Sequence, residues 1–299
     1  MTFLLQGALT ALVTPFRDGQ VDHDRLRKNI DFQINHGIDG LVPVGTTGES
    51  PTLSHDEHDA VIATTVEQTH GRVPVVAGTG SNATDEALRL TQHAQRVGAT
   101  AALMVNPYYN KPSQEGLYRH FITVADAVDL PIVLYNIPGR TNVTMTPATV
   151  ARLAAHPNIV AIKEATGSLD IASEILTLTN PKEFTLVSGD DSLTLPLMAI
   201  GGQGVISVLA NLLPDHVKAL TAAAQAGDYA TARQHHLDLF TLCRGMLTLD
   251  TNPIPIKTAL ALRHQDTGNL RLPLVPMDND KTQQLQTLLQ HHNLLPQTT

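Results

Sequence analysis

Eight short apolar runs recur along this chain, and behind each stands a stretch with helical spacing. The runs are "GALTALVTP", "GLVPVGT", "VPVVAGTG", "AALMVNP", "PIVLYN", "IVAIKEATG", "FTLVSGDD" and "GVISVLAN". Short apolar runs set between Gly, Pro and Asn suit strands buried on both faces, as in a parallel sheet covered by helices. Helix-start signals agree: Ser54 with Glu57 forms a capping-box pattern, and Pro147 follows Thr146 at a first helical position. Two architectures use such units, an open doubly wound sheet and a closed (β/α)8 barrel. Eight units in nearly continuous succession favour the α/β TIM barrel, which typically takes about 250 residues. From about Gly227 the strand signals stop, and "DYATARQHHLDLFTLCRGMLTL", "NPIPIKTALAL" and "KTQQLQTLLQHH" read as helical. The expected layout is a catalytic barrel over 1–226 and a C-terminal helical region over 227–299, with a frayed Gln/Thr-rich tail.

Composition acts mainly by exclusion. No run approaches the roughly 18 apolar residues that a membrane span needs. The opening "MTFLLQGALTALVTPF" has no basic flank or small-residue cleavage site, so it reads as a first strand and not a signal peptide. Cys243 is the only cysteine, which rules out an internal disulfide and fits a reducing cytoplasm. Net charge is −8 and the Lys and Arg are scattered, which argues against nucleic acid as a partner.

In a barrel, chemistry sits at the C-terminal ends of the strands. Those ends supply Thr14, Gly45-Thr46-Thr47, Gly78-Thr79, Asn106, Tyr135-Asn136, Lys163, Ser188-Gly189-Asp190 and Ile206-Ser207. Lys163 is the odd member, because an unpaired ammonium at the end of a core strand is costly. Strict alternation places Ile159 and Ala161 on its face and sends Val160, Ile162 and Glu164 toward the helices. An inward lysine loses its charge to desolvation and becomes a nucleophile able to form an imine with a keto acid. A lysine that snorkels or pairs with a carboxylate is the competing reading, and this stretch alone leaves both open. "VPVGTTGES" offers hydroxyls and free backbone N–H groups to a small carboxylate. "LYNIPGRT" offers a strand-end tyrosine for proton transfer and an arginine for a carboxylate.

"GTTGES", "NPYYNKP", "YNIPGRT", "KEATG" and "SGDD" followed by "GGQGVISV" stand in order over residues 1 to about 225. In these motifs the chain resembles the dihydrodipicolinate synthase family, within the pyruvate-dependent class I aldolases that include N-acetylneuraminate lyase. "NPYYNKP" and the arginine of "IPGRT" favour the former. The resemblance implies a lyase without metal or organic cofactor that condenses pyruvate with L-aspartate 4-semialdehyde, giving 4-hydroxy-tetrahydrodipicolinate for lysine and diaminopimelate biosynthesis. It implies that Lys163 forms the imine, and that Tyr135 moves protons with Thr47, Thr46 and Tyr109, the last reaching a neighbouring subunit's site. It further implies that Arg140 holds the second substrate's carboxylate, that Thr47, Gly189 and Ile206 line the pyruvate site, and that the assembly is a dimer of dimers. A pyruvate lyase with a different aldehyde, and a barrel that only binds ligands, are the rival readings. The intact set of Lys163, Tyr135, Thr47 and Tyr109 counts against the binder.

Three further motifs have plainer readings. "GGQG" at 201–204 precedes the eighth strand, hence a tight turn at the barrel bottom and not a phosphate loop. Asp190 and Asp191 lack a third ligand, so loop and cap roles are expected and no metal site. "HDEH" puts His55 and His58 one helical turn apart without the usual zinc spacing. In lysine-inhibited family members this motif belongs to an L-lysine site, and Ser50, Leu53, His55, His58, Asn82, Glu86 and Tyr108 match that site. Pro51 departs from it, standing where several inhibited members carry alanine.

Overall fold

The computed structural model describes residues 4–296; the expected fraying of the tail at Gln297–Thr299 lies outside the described residues. Eight parallel strands carry the apolar runs: β1 (Gly7–Ala11), β2 (Gly40–Val42), β3 (Val76–Gly78), β4 (Ala101–Val105), β5 (Ile132–Asn136), β6 (Ile159–Glu164), β7 (Thr185–Ser188) and β8 (Gly204–Ser207). Their order in the sheet is β2-β1-β8-β7-β6-β5-β4-β3. A parallel bridge between Leu41 and Val75 joins the two ends, backed by Leu41 N donating to Pro74 O and Gly78 N to Pro43 O, each at 3.0 Å. The sheet is therefore a closed (β/α)8 barrel, in which each of the eight strands has a neighbour on both sides.

Helices follow the strands in turn: α1 (His23–Asn35), α2 (His55–Thr69), α3 (Thr84–Arg96), α4 (Gln114–Asp126), the single turn α5 (Pro138–Thr141), α6 (Pro147–Ala154), α7 (Leu169–Leu178), α8 (Thr194–Ala199) and α9 (Pro214–Gln225). The capping box at α2 is present: Ser54 Oγ accepts from Glu57 N, and Glu57 Oε2 accepts from Ser54 N at 2.9 Å. Thr146 caps α6, with Pro147 in its first turn. Three more helices, α10 (Tyr229–Thr248), α11 (Ile254–Leu262) and α12 (Asn279–His291), complete the chain. Their Leu242, Met246, Ile256 and Leu285 join the same apolar core as the barrel helices, so this region packs as part of the barrel layer. No helix among the described residues is long and apolar enough to cross a membrane.

Two apolar shells result from the alternation of strand side chains. Leu9, Val42, Val76, Leu103, Val133, Val187 and Ile206 fill the interior, while Leu41, Ala102, Met104, Leu134 and Ile162 pack outward against the helices. β6 departs from strict alternation at its start. Ile132 pairs with Ile159 but Val133 pairs with Ala161, so the register skips Val160. Val160 consequently packs in the inner shell and Ile159 in the outer, the reverse of the sequence expectation. A bulge adds one residue and flips the faces before it, which alternation counted back from Lys163 does not reveal. "GGQG" lies at the foot of β8, where a Cβ on Gly204 would overlap the Gly7 carbonyl oxygen. Close strand approach is its role.

Candidate active site

Beyond the bulge, Ala161 and Lys163 project inward and Ile162 and Glu164 outward. Lys163 is 6% exposed, and its Nζ lies 4.2 Å from the centroid of the Tyr135 ring. Tyr135 is the register partner of Lys163 on β5. Among the described residues Lys163 has no hydrogen-bond or ion-pair partner. Desolvation dominates its titration and brings its pKa down to about 7; Asp191 opposes the shift and Arg140 adds to it. Half of the amine is then neutral near pH 7, which is the state a nucleophile needs. Burial pushes the Tyr135 hydroxyl up to about 12, against the Arg140 charge and a hydrogen bond with the Thr46 side chain. The tyrosine stays protonated and can donate.

Several of the expected residues gather around this pair. Gly189 follows β7 so closely that an added Cβ would stand 3.1 Å from Lys163 Cε and 2.7 Å from Ala165 Cβ, so only glycine leaves room for the lysine. Ile206 is buried in the inner shell with Tyr135 and Val187. Asp191 Oδ2 accepts from Val208 N at 2.9 Å and Leu209 N at 3.1 Å, fixing the turn after Ile206, while Asp190 caps the short helical turn from Asp191. On the outward face, Asn106 Nδ2 donates to Asn136 Oδ1 (3.1 Å) and Asn136 Nδ2 to Glu164 Oε2 (3.2 Å), tying the ends of β4, β5 and β6 together. Tyr109 is elsewhere: its loop extends away with φ +74°, and the side chain is 88% exposed. Among the described residues no group of three or more His, Cys, Asp or Glu is arranged to hold a metal.

The Gly45–Glu49 loop is held by residues more than 200 positions away. Glu49 has a left-handed backbone (φ +54°), and its carboxylate is buried against Lys257 of α11, with Nζ to Oε1 at 2.6 Å. Lys257 is fully buried; its Nζ also donates to Thr14 O at 2.9 Å and lies 4.3 Å from the centroid of the Phe16 ring. The other oxygen of Glu49 accepts from Arg271 N, and the Arg271 guanidinium grips Glu57 and Thr52 O. Thr47 turns from Tyr135 toward the C-terminal region, where Asn252 Nδ2 donates to its Oγ1 at 3.1 Å. Arg140 Nη2 in turn donates to Asn252 O at 3.0 Å.

A cavity of about 410 Å³ opens between β2, β3 and β5. Thr46, Tyr135 and Arg140 line it together with Ser50, Leu53, His55, His58, Glu86 and Tyr108. Six of the seven residues matched to a lysine site thus face a single space shared with the catalytic candidates. The seventh, Asn82, offers its backbone carbonyl to Asn110 Nδ2, tethering the loop that carries Tyr108 and Tyr109. Glu86 accepts from Ser81 Oγ and meets His55 Nε2 at 2.6 Å, and these contacts hold its carboxyl below the usual range despite partial burial. Burial brings His58 down to about 4, so its imidazole is neutral at physiological pH.

Residues 4–292 match the model of the dihydrodipicolinate synthetase family. The chain belongs to this family. It is an enzyme of the lyase class. The 4-hydroxy-tetrahydrodipicolinate synthase of Citrifermentans bemidjiense is 53% identical over 292 residues, covering 98% of this chain and all of the relative. The chloride-inhibited dihydrodipicolinate synthase of Acinetobacter baumannii, solved with pyruvate, superposes with a TM-score of 0.94 at 42% identity, over 97% of this chain and 99% of that one. The Cyanidioschyzon merolae enzyme, solved with lysine bound, gives 0.94 at 39% identity over the same shares.

Within this family fold, sequence reasoning missed Asn252, Lys257 and Arg271. One signal was present for Lys257: it interrupts "IPIKTALAL" much as Lys163 interrupts its own apolar run. The two lysines realise the two readings left open for such a residue, one unpaired and one ion-paired. Removing one member of a fully buried pair strands the other's charge, at a cost of about 3–5 kcal/mol. Lys257→Met is accordingly expected to lower the unfolding free energy by about that amount in denaturant titration, and Lys257→Met/Glu49→Gln to recover part of it. Equal losses in the single and double variants would show that the pair does not stabilise this loop.

Proposed function

We propose that the enzyme condenses pyruvate with L-aspartate 4-semialdehyde through an imine on Lys163, yielding 4-hydroxy-tetrahydrodipicolinate, and that free L-lysine inhibits it. The observation that carries this reading is the buried Lys163 amine, unpaired and held near neutrality against Tyr135. In the proposed sequence Nζ adds to the keto carbon and water leaves, giving an iminium. The iminium draws electrons, so the methyl carbon loses a proton and becomes an enamine. That carbon attacks the aldehyde, and Tyr135, polarised through Thr46, supplies the proton to the new alkoxide. The amine of the second substrate then displaces Lys163, closing the ring and freeing the lysine. Arg140 is assigned the acceptor's carboxylate, and the Thr47, Gly189 and Ile206 region the pyruvate carboxylate. The Tyr109 phenol, exposed at 88% on its own chain, is assigned to the site of a second copy.

Borohydride reduction with pyruvate is expected to add a pyruvyl mass to the peptide containing Lys163, and Lys163→Ala to abolish both adduct and turnover; an adduct elsewhere overturns the mechanism. The neutral fraction of an amine with pKa near 7 rises from about one-tenth at pH 6 to about nine-tenths at pH 8. The trapping rate should climb through that window and level off above it, and a rate still rising at pH 9–10 would mean that Lys163 is not desolvated.

Mixing inactive Tyr109→Phe and Lys163→Ala subunits should restore activity, since a hybrid pair regenerates one intact site. Hybrids as inactive as their parents would confine each site to one chain. For the effector reading, turnover measured against L-lysine should fall. Glu86→Ala should weaken that inhibition by about 10-fold or more, as expected for loss of a charge-assisted contact. No response of the native enzyme to millimolar lysine removes the effector assignment.

A further inference from the structure

We propose a second activity for this site: decarboxylation of 2-oxo acids that bear a further carboxylate on the carbon next to the keto group, of which oxaloacetate is the simplest. The proposal rests on the reading above that Lys163 forms an imine with a keto acid. The condensation makes its new bond at that neighbouring carbon, two bonds from Nζ. An iminium that draws electrons out of a methyl C–H bond also draws them out of a C–C bond at the same carbon. A carboxylate there leaves as carbon dioxide, and the enamine left behind is the one that the condensation uses.

The step balances with no added reagent. Nζ condenses with the keto carbon and water leaves. The bond from the neighbouring carbon to its carboxylate then breaks, and its electron pair becomes the enamine double bond as the iminium nitrogen is neutralised. The enamine carbon takes up a proton, and water hydrolyses the pyruvate imine. Oxaloacetate and one proton thus give pyruvate and carbon dioxide. Tyr135 is placed to give that proton: Lys163 Nζ lies 4.2 Å from its ring centroid, and its buried hydroxyl, hydrogen-bonded with the Thr46 side chain, stays protonated.

The surroundings favour cleavage over mere binding. Hydration stabilises a carboxylate and so resists its loss as a neutral gas, and an apolar wall withdraws that stabilisation. Leu103, Val105 and Ile137 supply such a wall, since they pack in the shell that holds Tyr135 and also line the cavity beside it. Arg140 is the lining group able to hold the carboxylate back. Its guanidinium is drawn instead toward the C-terminal region, where Nη2 donates to Asn252 O at 3.0 Å.

The test incubates the native enzyme with oxaloacetate and EDTA, the chelator suppressing decarboxylation by stray metal ions, and measures carbon dioxide above the enzyme-free rate. Turnover is expected, and Lys163→Ala should lower it by about 100-fold or more, because the amine acts within the bound complex. Borohydride then reads the intermediate in the native enzyme. With lactate dehydrogenase and NADH clearing free pyruvate, trapping with oxaloacetate should leave a pyruvyl mass on the peptide containing Lys163. Release no faster than without enzyme, undiminished release in Lys163→Ala, or an adduct that keeps both carboxylates overturns the proposal; the last would mean that the carboxylate is held and not lost. Failure of the underlying reading has a separate signature: pyruvate itself leaves no adduct on Lys163.

Discussion

Desolvation of one amine is the condition on which the rest of the site depends. A lysine in water near pH 7 is almost wholly charged and a poor nucleophile. Closing the sheet removes water from Lys163, and the inner shell of Leu103, Val133, Val187 and Ile206 offers no carboxylate to restore the charge. Asp191 is the nearest acidic influence, and it is committed to two backbone N–H groups beyond Ile206. It moderates the shift without pairing. Gly189 completes the arrangement by leaving space where any side chain would push the lysine aside.

A dry interior makes an amine reactive but does not aim hydroxyls at it. That task falls to the Gly45–Glu49 loop, whose geometry the barrel alone does not set. Its left-handed glutamate would be strained and its buried carboxylate uncompensated without Lys257 and Arg271. The chain after the barrel therefore holds this loop through three contacts: an amide, an ammonium and a backbone N–H. The same loop supplies Gly45 and Thr46 to the lining of the cavity that Ser50 and Glu86 also line.

The barrel was legible because its signals are local. Each strand is a short apolar run with its own punctuation, and the caps at Ser54 and Thr146 are read within four residues. The candidate site was legible for a different reason, since Lys163 and Tyr135 stand at strand ends that the eightfold count locates, with Arg140 in the turn just beyond β5. What escaped was non-local or depended on register. The bulge at Val160 leaves no mark in composition, because Ile, Val and Ala suit either face. Asn252 and Thr47 are separated by 205 positions, and nothing near either residue specifies the other. Lys257 alone carried a warning, a charge inside an apolar helix.

The distance along the chain between these partners has a consequence for the newly made protein. All eight strands exist once Ser207 has been added, and with them the lysine, the tyrosine and the closed sheet. The loop bearing Thr46 and Thr47 still lacks its anchors, because Asn252, Lys257 and Arg271 are made later. Glu49 meanwhile has no buried cation to meet and no reason to leave water. The contacts that hold the catalytic loop thus become available only after some sixty further residues have followed the eighth strand.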